Sequence, residues 1–441
     1  VLVFASVVSG TLLLVLKNRE LDDEIRTAKR EGLPIEPADL RKVAVADSNN
    51  AAIPISTAEA LMHFRYLNAS ISFSNAFQLR TDGMAGQLQF QDDKTLDELA
   101  PVLNNLRLAS TRSQVDFHRQ WEMGPTVLFP EYSDIRSCVS MLIADADRNG
   151  RNGRSQLERE DLIAAAKISA LISQDPTIVA TLISVSCQSQ IESYLEMLLW
   201  SSKGKPELRA FIRDVVKSMG QLPKVKHALS GEIVTERAGI PFLASDKASE
   251  IFGAAGLPDS FRYSRMKRVR DAYDLRLVQY WRSVFRELPS DDSDYEAINQ
   301  VFSKRQDWLL TPLDWTYDYV KLMNPTYTNL VAAIEGQLAR RRALDTLLEL
   351  MDEKAAGKTF TGTLSNSPDH LDPFASAPLK VIAKPDGWIV YSLGPDKIDD
   401  HGNRTSGFQR RTNIVFEYPA PRRGRRRMPR FDSRGALWGA S

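Results

Sequence analysis

The chain has 441 residues, enough for two or three domains with sizeable cores. A hydrophobic share of 43% beside a charged share of 26% excludes wholesale disorder, and two cysteines exclude a disulfide framework. The net charge of +1 hides an asymmetry: from Arg404 onward ten arginines face Glu417 and Asp432, so that tail carries +8 and the remainder −7.

The first residue is Val1, and Val1 to Leu16 contains no charged side chain. Sixteen helical residues reach about 24 Å, short of the roughly 30 Å hydrocarbon core. A few apolar residues ahead of Val1 would complete a membrane span. Lys17, Asn18, Arg19 and Glu20 then end the run abruptly, as an interfacial boundary does. No small-x-small site lies at Leu14 to Leu16, so an uncleaved anchor is expected, with residues 1–16 in the lipid bilayer.

Glu20 to Glu31 is charged and helix-prone, and Gly32-Leu33-Pro34 stops it. This predicts a stalk, with linker, over 18–55. Ser56 to Phe64 reads as a helix, whereas Ile71 to Gln91 shows no stable period. From about Leu96 to Met219 the pattern is helical almost throughout. Ile135, Cys138, Val139, Leu142 and Ile143 define one apolar stripe; Val179, Ile183, Cys187, Ile191, Tyr194 and Leu198 define another, behind an Asp175-Pro176 start. Both cysteines belong to these stripes as small apolar fillers. Asp145-Ala146-Asp147-Arg148-Asn149-Gly150 begins like an EF-hand loop. Gln156 at the twelfth position and Asn152 at the eighth break that match, which leaves a polar inter-helix loop.

Residues 221–274 mix turns and short helices and are the expected boundary between a helical domain at 56–220 and a second helical region at 275–360. Their glycines lack phosphate-loop spacing. Trp308, Trp315, Tyr317 and Tyr319 concentrate around Pro312 as core or interface rings. A long helix is expected from about Pro325 to Lys354, with Arg340 to Arg342 turned to water or an acidic neighbour.

Leu379 to Ala383 and Trp388 to Tyr391 flank the Pro385-Asp386-Gly387 turn, which predicts a β-hairpin. Behind it Asp396, Asp399 and Asp400 crowd three carboxylates into five positions. Their repulsion is relieved by water, in a solvated acidic turn, or by a hard cation. In the second case the three aspartates, with Asn403, hold one calcium ion. Beyond Tyr418 the chain is too basic and too rich in Pro and Gly to build a core. It is read as a disordered tail that orders on an acidic partner or an anionic lipid surface, with nucleic acid not expected as its partner and a solubilising tail as the alternative.

Tyr391, Ser392 and Gly394, followed by Asp396, Asp399 and Asp400, resemble with tighter spacing the C-terminal end of the major pseudopilins of type II secretion. There a Tyr-x-Ser-x-Gly strand leads into an Asp-rich calcium loop; Lys397 and His401 stand where pseudopilins usually carry small residues. A wider resemblance runs through Gly32 to Leu40, Asn50-Ala51-Ala52, Glu160 to Leu182, Arg340 to Leu348, Asp372-Pro373-Phe374 and Gly387 to Asp400. Along these stretches the chain looks like large membrane-anchored envelope proteins of planctomycetes. That resemblance implies an N-terminal anchor, a helical body and an envelope location, and it supplies no activity.

His63, His118, His227, His370 and His401 are scattered, and no HExxH, GxSxG or CxxC occurs. The expected fold is mainly α: a multi-helix extracytoplasmic body behind one N-terminal transmembrane helix, closed by a small β element at 361–418. The expected function is a non-enzymatic structural or accessory subunit of a bacterial envelope complex, in the inner membrane with its body in the periplasm. Its partners would be the protein subunits of that complex. A pseudopilin-related secretion component and a hydrolase with dispersed catalytic residues are the alternatives.

Overall fold

A computed structural model describes residues 19–41, 45–69, 93–246, 248, 261, 263–289, 295–309, 315–323, 327–375, 377–403 and 413–420. The apolar run, the aperiodic stretch from Ile71 to Gln91 and the basic tail from residue 421 lie outside them. Among the described residues no helix is long and apolar enough to cross a membrane.

The protein is mainly helical, with one three-stranded antiparallel sheet near its C-terminus. In chain order α1 (Ala52–Ala69), α2 (Asp93–Glu98), α3 (Ala100–Ser110), α4 (Tyr132–Arg151), α5 (Ser155–Ile172), α6 (Ile178–Ser201) and α7 (Pro206–Ser218) build one apolar core. Residues 19–35, α8 (Val225–Gly239), α9 (Lys267–Glu287), α10 (Tyr295–Leu309) and α11 (Asp318–Met323) surround a second. The last helix, α12 (Thr328–Ala355), joins the two. Its 28 residues extend about 42 Å; Leu330, Val331 and Ile334 sit in the second core, and Leu344, Leu347 and Met351 in the first.

The predicted α4 stripe is buried throughout, and each of its Ile, Val and Leu side chains contributes about 1.5–3 kcal/mol relative to exposure. Cys138 and Cys187 lie in the same core, where burial pushes the Cys187 thiol up to about 12 and that of Cys138 well above its ordinary range.

Several expectations need correction. Asp145 to Gly150 is not a loop: it forms the last turns of α4, and only Asn152 to Arg154 separate that helix from α5. The charged residues remain helical because they face partners rather than water. Arg107 Nε donates to Asp161 Oδ1 at 2.7 Å, Arg107 Nη2 to Asp145 Oδ2 at 2.5 Å, and Asn149 Nδ2 to Asp161 Oδ2 at 2.8 Å. Even so, burial pushes Asp161 up to about 6 against these bonds.

The start of α6 also differs. Thr177 is the N-cap, its hydroxyl accepting from the Ala180 N–H at 3.0 Å, while Asp175 is drawn away to Arg119 and Tyr132. Val179 is 43% exposed, so the buried stripe is not the purely apolar one expected. It includes Ser184, Gln188, Glu192 and Glu196, four polar residues at four-residue spacing.

Two of these side chains, Gln188 and Glu192, meet α12. Arg340 Nε donates to Glu192 Oε2 at 2.9 Å and Gln337 Nε2 to Glu192 Oε1 at 2.6 Å, while Arg341 Nη2 donates to Gln188 Oε1 at 2.8 Å. The arginine run thus has its acidic neighbour, buried at the helix interface rather than at the surface. Within residues 221–274, read as turns and short helices, α8 is a 15-residue helix whose Val225, Ala228, Leu229 and Ile233 enter the second core. Tyr319, from the aromatic concentration, is fully buried against Phe261 and Tyr273.

The expected hairpin forms as β1 (Lys380–Lys384) and β2 (Gly387–Ser392), and β3 (Ile414–Tyr418) pairs with the other edge of β2. Trp388 stands opposite Ala383 on one side and Tyr418 on the other. A Cβ at Gly387 would collide with the Tyr418 carbonyl oxygen, so the turn residue also permits this close pairing. The sheet lies on α6 and α12: Trp200 Nε1 donates to the Glu417 carbonyl at 2.6 Å, and the Glu417 N–H to Glu196 Oε1 at 2.8 Å.

Candidate functional site

The aspartate loop begins where β2 ends. Asp372 is buried beneath it and accepts from the Ser392 hydroxyl at 2.7 Å, the Leu393 N–H at 2.8 Å and the Phe374 N–H at 3.0 Å. The Asp372-Pro373-Phe374 motif is therefore the cap of the Tyr391 to Asp396 segment. Asn413, next to β3, pins the loop from the other side, donating to the carbonyls of Leu393 and Ile398 and accepting from the Asp400 N–H.

Within the loop, Asp396 Oδ1 accepts from the Ile398 N–H at 3.1 Å, and Asp399 Oδ1 from the Tyr391 hydroxyl and the His401 N–H, both at 2.9 Å. Burial works to raise the Asp399 carboxyl, but those two donors outweigh it and hold it below the ordinary carboxylate range. Asn403 closes the turn through its own N–H to the Asp400 carbonyl at 3.1 Å. Lys397 turns out of the loop to Glu296 on α10 at 2.5 Å. The four predicted ligands are thus neighbours in the chain but are not gathered around one point. Among the described residues no three His, Cys, Asp or Glu side chains are placed to hold a metal ion. In this fold one oxygen of Asp396 and one of Asp399 already answer protein N–H and O–H groups, and no step is derived through an ion.

A second site has no counterpart in any motif. The helical residues 19–30 end at Gly32, whose φ of +77° lets the chain turn back onto the body. Ala28, Leu33 and Ile35 are buried there, so this segment is held against the body along its length rather than standing clear as a stalk. Arg282 on α9 grips it, pairing with Glu24 and, at 2.8 Å, with Glu31; Arg286, one turn further on, pairs with Glu31 as well. Arg237 Nη1 donates to the Ile35 carbonyl at 3.1 Å.

Beside this clasp opens a cleft of about 530 Å³, lined among others by Glu31, Lys226, His227, Arg282, Phe285 and Arg286. The bonds from Arg282 and Arg286 hold the Glu31 carboxyl down to about 2. Lys226 and His227 lie in the first turn of α8, whose N-cap Lys224 provides no side-chain bond to the leading N–H groups. The lining thus combines three permanent cations and a helix N-terminus with one carboxylate. Its three pieces, at 31–34, 226–230 and 282–286, are spread over about two hundred and fifty residues of the chain. The only local signal is spacing: 226 and 230, and 282 and 286, are each one turn apart.

The other histidines stay apart from this cleft. His63 pairs with Asp134 at 2.5 Å, and His370 bridges Ser365 and Glu349 at 2.9 Å each. No family model, curated protein or solved structure matches the chain.

Proposed function

We propose that this chain is the body of a single-pass membrane protein and a non-enzymatic structural or accessory subunit of a bacterial envelope complex. The observation that carries this reading is the clasp on residues 19–36. These residues follow the apolar run directly, and Arg237, Arg282 and Arg286 fix them to the second core. A body rigidly joined to the foot of a membrane helix is held at a set height and angle over the bilayer, which suits a subunit that positions partners. The paired polar seam between α6 and α12 adds to this, since it makes the two cores one rigid support.

The order of a long helix followed by an antiparallel sheet favours a second reading, a pseudopilin-related component of a secretion system. An acidic residue near the start of the complete membrane helix would distinguish it. The topology is tested with protease added to intact spheroplasts. Digestion of the body is expected, and protection until the cells are lysed would reverse the orientation.

A further inference from the structure

We propose that the cleft between residues 31–34, α8 and α9 binds a soluble phosphate-bearing small molecule. Lys226 and Arg286 would hold its phosphate against the first turn of α8. The geometry favours an anion because Lys226 and Arg286 line the cleft from two helices, while Glu24 and Glu31 are both taken up by Arg282. It favours phosphate because a helix N-terminus supplies N–H donors to tetrahedral oxygens, and a guanidinium fork with an ammonium completes the set.

Arg282 is only 10% exposed and is committed to Glu24 and Glu31, whereas the Arg286 side chain is 59% exposed and can turn to a ligand without releasing the clasp. Phe285 gives the cleft an apolar wall for the carbon part of a phosphate ester, and about 530 Å³ is the size of a small-molecule site.

Only the choice between dissolved and lipid-borne phosphate leans on the anchored reading. The helical residues 19–30 extend about 18 Å. With Arg19 at the boundary, the 31–34 edge of the cleft lies that far along the helix from it, which favours a dissolved ligand over a lipid headgroup.

The test is calorimetric titration of the full chain in mild detergent at low salt with glycerol 3-phosphate and inorganic phosphate. Saturable binding at one site is expected, weakened about tenfold or more in Lys226→Gln and in Arg286→Gln. It should be unchanged in Lys205→Gln, an exposed lysine beside the other core. Thermal melts of the three variants confirm that each is folded. Absence of saturable binding by the wild type, or equal weakening in Lys205→Gln, would overturn the site. Binding only to phosphatidylglycerol vesicles, without competition from glycerol 3-phosphate, would overturn the soluble ligand.

Discussion

Replacing Arg340 by alanine is expected to lower the unfolding free energy by about 3–5 kcal/mol, the usual loss when one partner of a buried ion pair is removed. Glu192 has no exposed surface, and burial already raises its carboxyl despite Arg340 and Arg341 nearby. Without Arg340 it keeps, among the described residues, the Gln337 amide as its direct donor. The same substitution removes the guanidinium from above the Phe416 ring, 5.2 Å away, and so loosens β3. Urea unfolding of the purified full chain reads the loss. Adding Glu192→Gln should recover much of it, because the amide needs no counter-charge. A loss under about 1 kcal/mol would mean that the seam behaves as a surface pair.

Glu236 sets the second large expectation, a pH dependence. It is buried among aromatic side chains, accepting from Trp281 Nε1 at 2.8 Å, with the Tyr327 hydroxyl 3.0 Å away. Burial, reinforced by the neighbouring Glu232, pushes its carboxyl up to about 8, and the Trp281 and Tyr327 bonds only partly oppose this. The native state therefore holds a proton that the unfolded chain releases near pH 4.5, so stability falls as pH rises from there to about 8.

An amide at this position does not titrate, so the substitution Glu236→Gln removes that slope. The variant should match wild type at pH 5 and exceed it by about 2–4 kcal/mol at pH 8. Glu59, also pushed up to about 8 by burial, slopes the same way in both proteins, so their difference isolates Glu236. Parallel stability profiles from pH 5 to 9 would show that this carboxylate is ionised in the native state.

The parts of the fold legible in the sequence were those set by local chemistry. Pro385-Asp386-Gly387 between two alternating runs placed β1 and β2, and the spacing of Ile135, Cys138, Val139, Leu142 and Ile143 placed the face of α4. Polar residues misled wherever their partners were distant. Asp145 and Asn149 read as loop because nothing local shows that Arg107 and Asp161 receive them. Gln188, Glu192 and Glu196 passed unnoticed within an apolar helix, because their partners lie near Arg340 and in β3.

The candidate sites divide in the same way. Crowded aspartates suggested a cation, and nothing local showed that the Tyr391 hydroxyl and two backbone N–H groups would meet Asp396 and Asp399. The cleft was invisible, because its cations come together only when residues 31–34 fold across α8 and α9.

The most direct measurement for a structural subunit is purification of the native protein from membranes in mild detergent through two unlike chromatographic steps, with the composition weighed by mass spectrometry. The expected result is that the chain stays in the membrane fraction and travels with other subunits at a constant ratio through both steps. Recovery of the chain alone, turning over a defined small molecule in a way that one substitution in a cleft abolishes, would contradict it.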